Sequence, residues 1–478
     1  MKRLRIVTIA VLIILTGGYA FAQDAESGSE SAPDAAAPGG PAFGFDLVIG
    51  ANTFEDDDGT TDAYQLLGLR PDLSIGRFGI GLDLSINYRF TGGDGDDFEV
   101  REEDWVPSDE VGFVELYLPK IRYVRYGQKG DPLFARLGSF SDSTIGNGFI
   151  VNNYSNELFL PELRIFGANL DLDGSLVGFP YVGIESLVGN VAALDVLATR
   201  LYIRPLASTD IPVIQRLQFG ATFAADTQPF FHEEKDPNSL YSDAYAEAHA
   251  ANPAIGPSPL DAPNDTVAMF GADFRLPILT SDILSLATFG DFVLQDGTNG
   301  AMLGTGGRAF GFLLYGAQVR YLGEDFIPSY FDGAYDLRRS ERFLIYDDDS
   351  AETTPSTVGW LANLGFSLLA DAIVFSTTLS GPFEVGDGLY PELLSSLTVQ
   401  EGTVPGFAGL SLSAFYNKFD IREFEDLGEA ENSLIGTRIN IRSGPVIISL
   451  LYNLTYDPNS DGDPWTVTSG LESTISLQ

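Results

Sequence analysis

The stretch at residues 80–90 constrains the fold of this chain most strongly, because its side chains alternate without a break. It reads IGLDLSINYRF, with an apolar residue at every even position and a small or polar residue at every odd position. Alternation with a period of two predicts a β-strand with one apolar and one polar face. Such a strand of about 9–11 residues is long enough to cross a bilayer at a tilt, whereas strands of soluble proteins usually have about 5–6 residues.

The same alternation recurs along the chain, and the polar faces carry arginine, aspartate, asparagine and glutamine in mid-strand. Such a face fits either the solvent side of a soluble β-sandwich or the wet lumen of a membrane barrel. Alternation alone therefore leaves both architectures open. The stretches are 166–172, 197–204, 217–223, 270–276, 313–321, 435–442 and 446–456.

The connections between these stretches distinguish the two architectures, because long or acidic ones alternate with short ones. The long ones include 55–63, 91–110, 141–164 and 225–264, and the short ones include 75–78, 127–132, 173–178 and 277–281. Long external loops and short periplasmic turns are typical of outer-membrane barrels, and a sandwich has no reason to gather its acidic loops at one end. We therefore predict an all-β fold, a transmembrane antiparallel β-barrel of about 18–20 strands with long acidic external loops and short periplasmic turns.

The order of the connections also predicts one strand that periodicity does not reveal. Residues 295–307 are assigned to an external loop, so the connection after the strand at 308–322 should be periplasmic. Residues 323–357 are too long for a periplasmic turn unless they contain a strand, and RRSERFLIY at 338–346 can supply it. With this strand, the last one, at 465–477, ends on the periplasmic side.

The N-terminus predicts export. Basic residues precede an apolar run at residues 6–15, and the small-x-small triplet Ala-Phe-Ala ends at residue 22. We predict a signal peptide at 1–22, a flexible low-complexity leader at 23–41 and the barrel at 42–478. The chain contains no cysteine, so no disulfide stabilises the exported protein.

Charge and motifs exclude two classes of function. Acidic residues outnumber basic ones by 67 to 27, and the formal net charge is −40 at pH 7. Nucleic-acid binding requires a basic face, so we predict no such partner. The two histidines, His232 and His249, both lie in the longest predicted loop, and the sequence has neither a zinc motif of the HExxH type nor a GxSxG serine. We predict no enzymatic activity.

In these features the chain resembles the porin-like outer-membrane β-barrels of double-membraned, Gram-negative-type bacteria. The resemblance covers residues 42–478 and rests on architecture, although GNGFIVNNYSN at 146–156 and IPSYFDGAYDLRRSERF at 327–343 look similar to segments of uncharacterised predicted porins. It implies an outer-membrane location, contact with outer-membrane lipid and lipopolysaccharide-type headgroups, insertion by the barrel assembly machinery and, as one arrangement, a homo-oligomer. Such barrels usually end on an aromatic residue, whereas this chain ends on Ser-Leu-Gln.

Polar side chains in mid-strand are candidates to line the lumen. Rings of arginine in a pore favour anions, and aspartates opposite them would create a transverse field. The alternative is that these charges pair across the strands and only keep the lumen polar. The predicted pore-lining residues are Asp83, Asn87, Arg89, Asp171, Arg200, Arg204, Asp273, Arg275, Arg320, Arg438 and Arg442.

Two segments are candidates to narrow the pore. Residues 141–164 contain few acids and many apolar side chains, which would be a liability in an exposed loop; the alternative is packing at the rim. Residues 338–342 contain the densest basic cluster, preceded by aromatic residues; the alternative is a periplasmic turn with basic residues at the interface. The candidate constriction residues are Asn147, Asn152, Asn153, Arg338, Arg339 and Arg342.

One connection resembles the start of a calcium loop. Asp457, Asn459, Asp461 and Asp463 follow the spacing D-x-N-x-D-G. Position twelve is Thr468 and not the bidentate glutamate of an EF-hand, so a solvated hairpin turn is the alternative. Calcium at these external residues is the sole cofactor that the sequence suggests.

Three functions fit the sequence. The first is a porin-like channel for passive diffusion of small polar solutes through a charge-lined lumen. The second is a surface-exposed structural or adhesive β-barrel, with acidic loops that bind cations, headgroups or host partners. The third is a soluble exported β protein, in which the apolar strand faces would form an internal core.

Overall fold

The computed structural model describes residues 41–55, 61–91, 97–107, 113–158, 164–231, 266–281, 283–347, 353–369, 372–386, 389–404, 409–429, 431–443, 446–456 and 465–477. The predicted signal peptide and most of the leader lie outside the described residues. So do the candidate calcium ligands Asp457, Asn459, Asp461 and Asp463. The first strand begins at Pro41, one residue before the predicted start of the barrel.

Antiparallel β-strands account for most of the described residues. The strands are β1 Pro41–Glu55, β2 Thr61–Ile75, β3 Phe78–Leu82, β4 Leu84–Thr91, β5 Asp97–Val100, β6 Ile121–Tyr126, β7 Leu133–Gly138, β8 Val151–Asn152, β9 Gly167–Asp173, β10 Val182–Val188, β11 Val196–Ile203, β12 Gln218–Asp226, β13 Val267–Thr280, β14 Ser285–Gln295, β15 Thr298–Ala309, β16 Leu313–Leu322, β17 Phe331–Asp332, β18 Thr357–Leu368, β19 Ile373–Pro382, β20 Glu392–Val399, β21 Leu410–Lys418, β22 Ser433–Ser443, β23 Val446–Tyr456 and β24 Trp465–Leu477.

Helices are few and short in the described part of the chain. Two are α-helices, α1 Phe113–Tyr117 and α2 Arg339–Tyr346. Six are 3₁₀ turns, at Glu102–Asp104, Leu118–Lys120, Gly174–Val177, Ile214–Arg216, Tyr335–Leu337 and Phe424–Gly428. Across the described ranges, no helix combines the length and the apolar character that a membrane span requires.

The large sheet closes on itself. It contains 22 of the strands, all except β8 and β17. Its first strand, β1, pairs both with β2 and with the last strand, β24. β3 and β4 share one place beside β2, and β5 and β6 share the next, so the described strands fill 20 positions around the ring. An even number with first-to-last pairing is the construction of a closed antiparallel barrel, which confirms the predicted fold class.

The predicted order of the connections is correct up to β14 and again from β18 onward. Between them two errors cancel, and the connection after β16, predicted to be periplasmic, lies on the external side. Residues 298–307, assigned to a loop, belong to strand β15, which pairs with both β14 and β16. Residues 338–346, assigned to a strand, contain helix α2, and β16 pairs directly with β18. One strand was missed and one was added, so every later strand kept its predicted direction.

The wall has an apolar outer face and a more polar inner face. Along β11 and β13, outward side chains are exposed and the adjacent inward ones are covered: Leu201 is 59% exposed beside Arg200 at 2%, and Phe270 is 57% exposed beside Met269 at 1%. Exposed apolar residues recur on β15, β16, β18 and β23. A continuous apolar surface of this kind belongs against lipid or another apolar partner, because soluble monomers rarely expose one.

The stretch at residues 80–90 faces as predicted but is interrupted once. Asp83 and Asn87 are buried on the inner face, and Phe90 is exposed outside, in ring contact with Tyr88 at 5.9 Å. The ladder breaks at Asp83, whose N–H donates to the backbone oxygen of Lys120 at 2.8 Å. A chain segment that turns inward beside Asp83 therefore ends β3 and starts β4.

The prediction of one long external loop at 91–110 needs correction. Residues 97–100 form strand β5, and the described residues 101–107 and 113–120 turn inward between β5 and β6. The Asn87 amide donates to Asp104 at 2.8 Å, and the Lys120 ammonium lies 4.0 Å from the centre of the Trp105 ring. These residues therefore occupy the lumen beside β4.

Candidate functional site

Two connections enter the barrel and fold together. Residues 139–158, between β7 and β9, meet residues 323–347, between β16 and β18; we call this pair of segments the inner lobe. Strands β8 and β17 pair in parallel, the N–H of Ser329 donates to Phe149 O at 2.9 Å, and the N–H of Phe331 donates to Ile150 O at 3.0 Å. The lobe is therefore one folded unit built from two distant parts of the chain.

Apolar side chains explain why the lobe lies inside. Phe149, Val151 and Tyr154 are at most 2% exposed, as are Tyr330 and Phe331 of the second segment. They form one core with inward residues of the wall, which include Leu187, Val196, Met269, Val293 and Met302. The hydrophobic effect thus holds the lobe against inward residues of β10–β15, and a constriction formed by its first segment stays a prediction.

Arg339 anchors the lobe to the wall electrostatically. Its guanidinium lies 2.7 Å from Asp226 at the end of β12 and 2.9 Å from Asp195 just before β11. The Tyr335 hydroxyl donates to Asp226 at 2.7 Å. All these side chains are nearly inaccessible, so the attraction is little screened by solvent.

A third carboxylate lies in the same cluster. Asp336 is 3.9 Å from Arg339, and the Tyr154 hydroxyl lies 3.1 Å from it. The pKa of the Asp336 carboxyl is raised to about 7, chiefly by burial; the charges of Asp195 and Asp226 also raise it, while Arg339 and the Tyr154 hydrogen bond lower it. One arginine therefore faces three acids, and the third retains a proton into the neutral range.

Two more arginines are also buried: Arg342 within α2, and Arg338 just before its first residue. Arg342 pairs with Asp332 and donates to the Tyr330 backbone oxygen. Arg338 is 6% exposed and forms the N-terminal boundary of the helix. The alternative of a periplasmic turn with interfacial arginines is therefore wrong, because all three side chains lie in the lobe at the loop end of the barrel.

The predicted asparagines lie in the first lobe segment. Asn147 donates to Asp291 on the inner face of β14 at 2.9 Å, so it links the lobe to the wall. Asn152 is fully buried in β8, and Asn153 adopts a left-handed backbone with φ 52°. The N–H of Asn153 donates to the Thr144 hydroxyl at 2.9 Å, which closes the turn.

Most of the predicted pore-lining charges on β9–β13 are paired. Arg200 contacts Asp273 at 2.6 Å and Glu185 at 3.1 Å. Arg204 contacts Asp173 at 2.6 Å, and Lys129 contacts Asp171 at 3.2 Å in two further pairs. Cross-strand pairing, the alternative considered from the sequence, therefore describes this side of the lumen.

The remaining predicted residues are distributed around the ring. Asp83 binds Arg70 at 3.2 Å and also Arg164, and Arg89 pairs with Glu99 at 3.0 Å. Arg320 donates to Gln318 at 2.7 Å, and Arg275 is partly buried on the inner face of β13. Arg442 pairs with Glu401 at 2.6 Å near the turns, whereas the side chain of Arg438 is exposed.

Sequence reasoning missed the acids that hold the lobe. Asp195, Asp226, Asp332 and Asp336 carry no periodic signal, and Asp226 is 113 residues from its partner Arg339. The excess of arginine in 338–342 indicated that counter-charges were needed, but only the fold identifies them.

Comparison with known proteins finds likeness in solved structures alone. No protein-family model matches the chain, and no curated protein matches it. Pseudomonas aeruginosa OpdO is 11% identical, with 91% of this chain and 96% of that chain covered and a TM-score of 0.34. Pseudomonas aeruginosa OccK10 (OpdN) is 12% identical, with 92% and 99% covered and a TM-score of 0.34. Acinetobacter baumannii CdiB is 8% identical, with 91% and 60% covered and a TM-score of 0.27.

Proposed function

We propose that the protein is a porin-like channel of the outer membrane through which small polar solutes diffuse passively. The observation that carries this proposal is the closed ring of 20 strand positions with apolar side chains exposed outward. A closed antiparallel sheet satisfies its own backbone, so it can span a bilayer, and a ring of this size encloses more space than wall side chains fill. The exported N-terminus predicted from the sequence supports this location.

The lumen supports diffusion and not catalysis. Several of its charged side chains are engaged in ion pairs at 2.6 to 3.2 Å, which favours a structural role for them. The inner lobe occupies the side of β10–β15 and narrows the remaining space. Solutes would pass between the lobe and the opposite wall, with selectivity set by size and by the groups that line this passage.

Single-channel recording in planar bilayers tests the proposal. The purified protein should first show heat-modifiable migration on a gel, which establishes that the barrel is folded. We expect stepwise conductance that rises with salt concentration. Folded protein that gives no conductance at any salt concentration would overturn the channel function.

The inner lobe favours one other function, a structural or adhesive barrel with a filled lumen. Its buried core, which fills part of the lumen, supports this function. This function predicts that folded protein conducts neither ions nor solutes, and that removing residues 232–264 of the longest connection abolishes a surface phenotype. Conductance by the intact chain would exclude a filled lumen.

A further inference from the structure

The connections at the predicted periplasmic end of the barrel differ in chemistry around the ring. Between β9 and β19, five successive connections at this end each expose an apolar side chain by more than half of its surface. These residues, which we call the apolar rim, are Val177 at 80%, Ile211 at 55%, Ile283 at 67%, Phe310 at 69% and Leu369 at 69%. The strands that they join, β9–β16, β18 and β19, fill ten of the 20 positions of the ring.

The described turns in the other half of the ring have polar or charged tips. Arg77 lies between β2 and β3, Gln128 and Lys129 lie between β6 and β7, and Glu401 follows β20; all four are exposed. The turn at 127–132 is the direct neighbour of the apolar rim, because β7 pairs with β9. Apolar tips are therefore a property of one side of this barrel and not of its short turns in general.

The apolar rim continues the surface that faces lipid. Leu284 and Leu368 are 36% and 38% exposed on the outer face, and each directly adjoins a rim residue, Ile283 or Leu369. The N–H of Phe310 donates to Ile283 O, so the tips of two neighbouring turns adjoin as well. Apolar surface thus runs from the wall of the barrel onto the tips of its turns.

Phe310 occupies a backbone position that does not favour it. Phe310 and Gly311 have φ of 55° and 74°, and the N–H of Phe312 donates to Ala309 O at 3.1 Å, which closes a tight turn. Turns with two positive φ angles prefer Asn or Asp followed by Gly. An aromatic residue there is disfavoured by the backbone and, if it faces water, by its exposed ring as well. Its presence indicates apolar surroundings.

Arginines beside the apolar rim are compatible with a layer of lipid headgroups. Arg216 is exposed before β12, and its guanidinium donates to the Thr280 hydroxyl at 2.8 Å. Arg308, two residues before Phe310, donates to Gly311 O at 3.4 Å. Long basic side chains can keep their charge in water or among headgroups while their apolar stems lie along acyl chains.

We propose that the apolar rim lies in the periplasmic leaflet of the outer membrane, in contact with phospholipid, while the turn at 127–132 stays in water. The contact seats the barrel deeper on the side of β9–β19 and so inclines its axis in the bilayer. It does not depend on conduction, because a barrel with a filled lumen would make the same contact.

Fluorescence quenching tests the contact at single positions, because the chain contains no cysteine and one introduced thiol can carry a bimane probe. V177C, F310C and L369C place the probe on the apolar rim. Q128C, on the neighbouring polar turn, is the matched control, and L201C, on the outer face of β11, marks lipid contact. The labelled proteins are inserted in phospholipid vesicles, with either a nitroxide near the top of the lipid acyl chains or iodide in the water on both sides.

We expect the lipid nitroxide to reduce emission at the three rim positions about as much as at L201C, and iodide to reduce it only at Q128C. Iodide quenching at the rim without nitroxide quenching would overturn the proposal, because the tips would then face water. Protection from both quenchers would also overturn it, because a second copy of the chain would then cover the rim. Nitroxide quenching at L201C shows insertion in the same samples, and conductance tests the channel function separately.

The direction of a stability change provides an independent test. F310N supplies the residue type that the turn prefers, so it should raise the urea midpoint of the barrel if the tip faces water. If the tip lies in lipid, F310N removes an apolar contact, and we expect a lower midpoint than that of the parent chain in vesicles. The control is D296N, since Asp296 and Gly297 form a turn with two positive φ angles at the opposite end of β15; its midpoint should not change. A raised midpoint for F310N would overturn the proposal at this turn.

Discussion

At the scale of single residues, Arg339 is the side chain on which most of the inner lobe depends electrostatically. It is 3% exposed and compensates two carboxylates that are 3% and 0% exposed. Removing one partner of a buried pair leaves an uncompensated charge, which costs far more than losing a pair at the surface. The comparison with an exposed pair in the same chain makes this difference measurable.

We expect R339M to destabilise the lobe by about 3–5 kcal/mol, because Asp195 and Asp226 would be left buried without a cation. Limited proteolysis at 139–158 and 323–347 should detect the opened lobe. The control is R422M, since Arg422 pairs with Asp420 at 2.9 Å but is 61% exposed, and such surface pairs contribute about 0–1 kcal/mol. Equal protease resistance of the two variants would contradict the anchoring role.

Asp336 makes the stability of the lobe depend on pH. Its pKa is raised from 3.8 to about 7 by burial, with Asp195 and Asp226 adding to the effect and Arg339 and Tyr154 opposing it. The folded state therefore binds a proton that the unfolded state releases near its ordinary pKa. This contribution is fully present below about pH 4 and is lost as pH rises through about 7.

Protease resistance of the lobe should accordingly fall between pH 5 and 8, measured with digestion rates normalised to an unfolded substrate at each pH. The isosteric variant D336N, which stays neutral, should lose this dependence and resist digestion at alkaline pH. If protease resistance of the lobe in the parent chain rose with pH, the predicted direction of the pH dependence would be wrong.

At the scale of elements, the lobe and the wall are separable. The strands on either side of the first lobe segment, β7 and β9, pair directly, and so do β16 and β18. The wall therefore does not require the lobe for its hydrogen bonds. The lobe, by contrast, uses inward wall residues for its core.

Replacing residues 141–155 by a short Gly-Ser linker should therefore leave a folded barrel with a wider lumen. We expect heat-modifiable migration to persist and single-channel conductance to increase several-fold. A deletion of equal length inside the longest connection, at residues 236–250, serves as the control and should leave conductance unchanged. Identical conductance in the two deletions would indicate that the lobe does not limit the pore.

The elements also show which predictions local sequence supports. Helix α2 was predicted as a strand because the count of connections required one, although RRSERFLIY lacks alternation. Most of strand β15 was assigned to the loop at 295–307, and its sequence TNGAMLGTGGRA is rich in glycine, which is rare in strands. In the barrel, Gly300 and Gly304 are needed, since a Cβ there would lie 2.3 Å and 2.4 Å from the Phe326 and Phe289 rings.

At the scale of the whole molecule, the outer face should determine membrane insertion. Leu201 points outward from the middle of β11 and is 59% exposed. A lysine there would face hydrocarbon, so we expect L201K to cost about 2–4 kcal/mol if the site lies near the bilayer midplane. Urea unfolding in lipid vesicles, followed by the heat-modifiable gel shift, measures this cost.

The matched control for L201K is S413K, on the exposed inner face of β21. A lysine in a wet lumen keeps its hydration, so its unfolding midpoint should stay close to that of the parent chain. If S413K were destabilised as much as L201K, the assignment of the two faces would be wrong.

The sequence by itself determined the closed antiparallel sheet and its inside and outside, because a period of two is a local property of each strand. The alternation at residues 80–90 predicted which side chains share a face, and the order of the loops predicted which of the two faces turns inward. The tertiary structure decided what fills the lumen, since the lobe joins Tyr154 to Asp336 and Arg339 to Asp226 over separations of 182 and 113 residues. Such pairs have no periodicity, and they form only after the wall has brought their segments into one enclosed space.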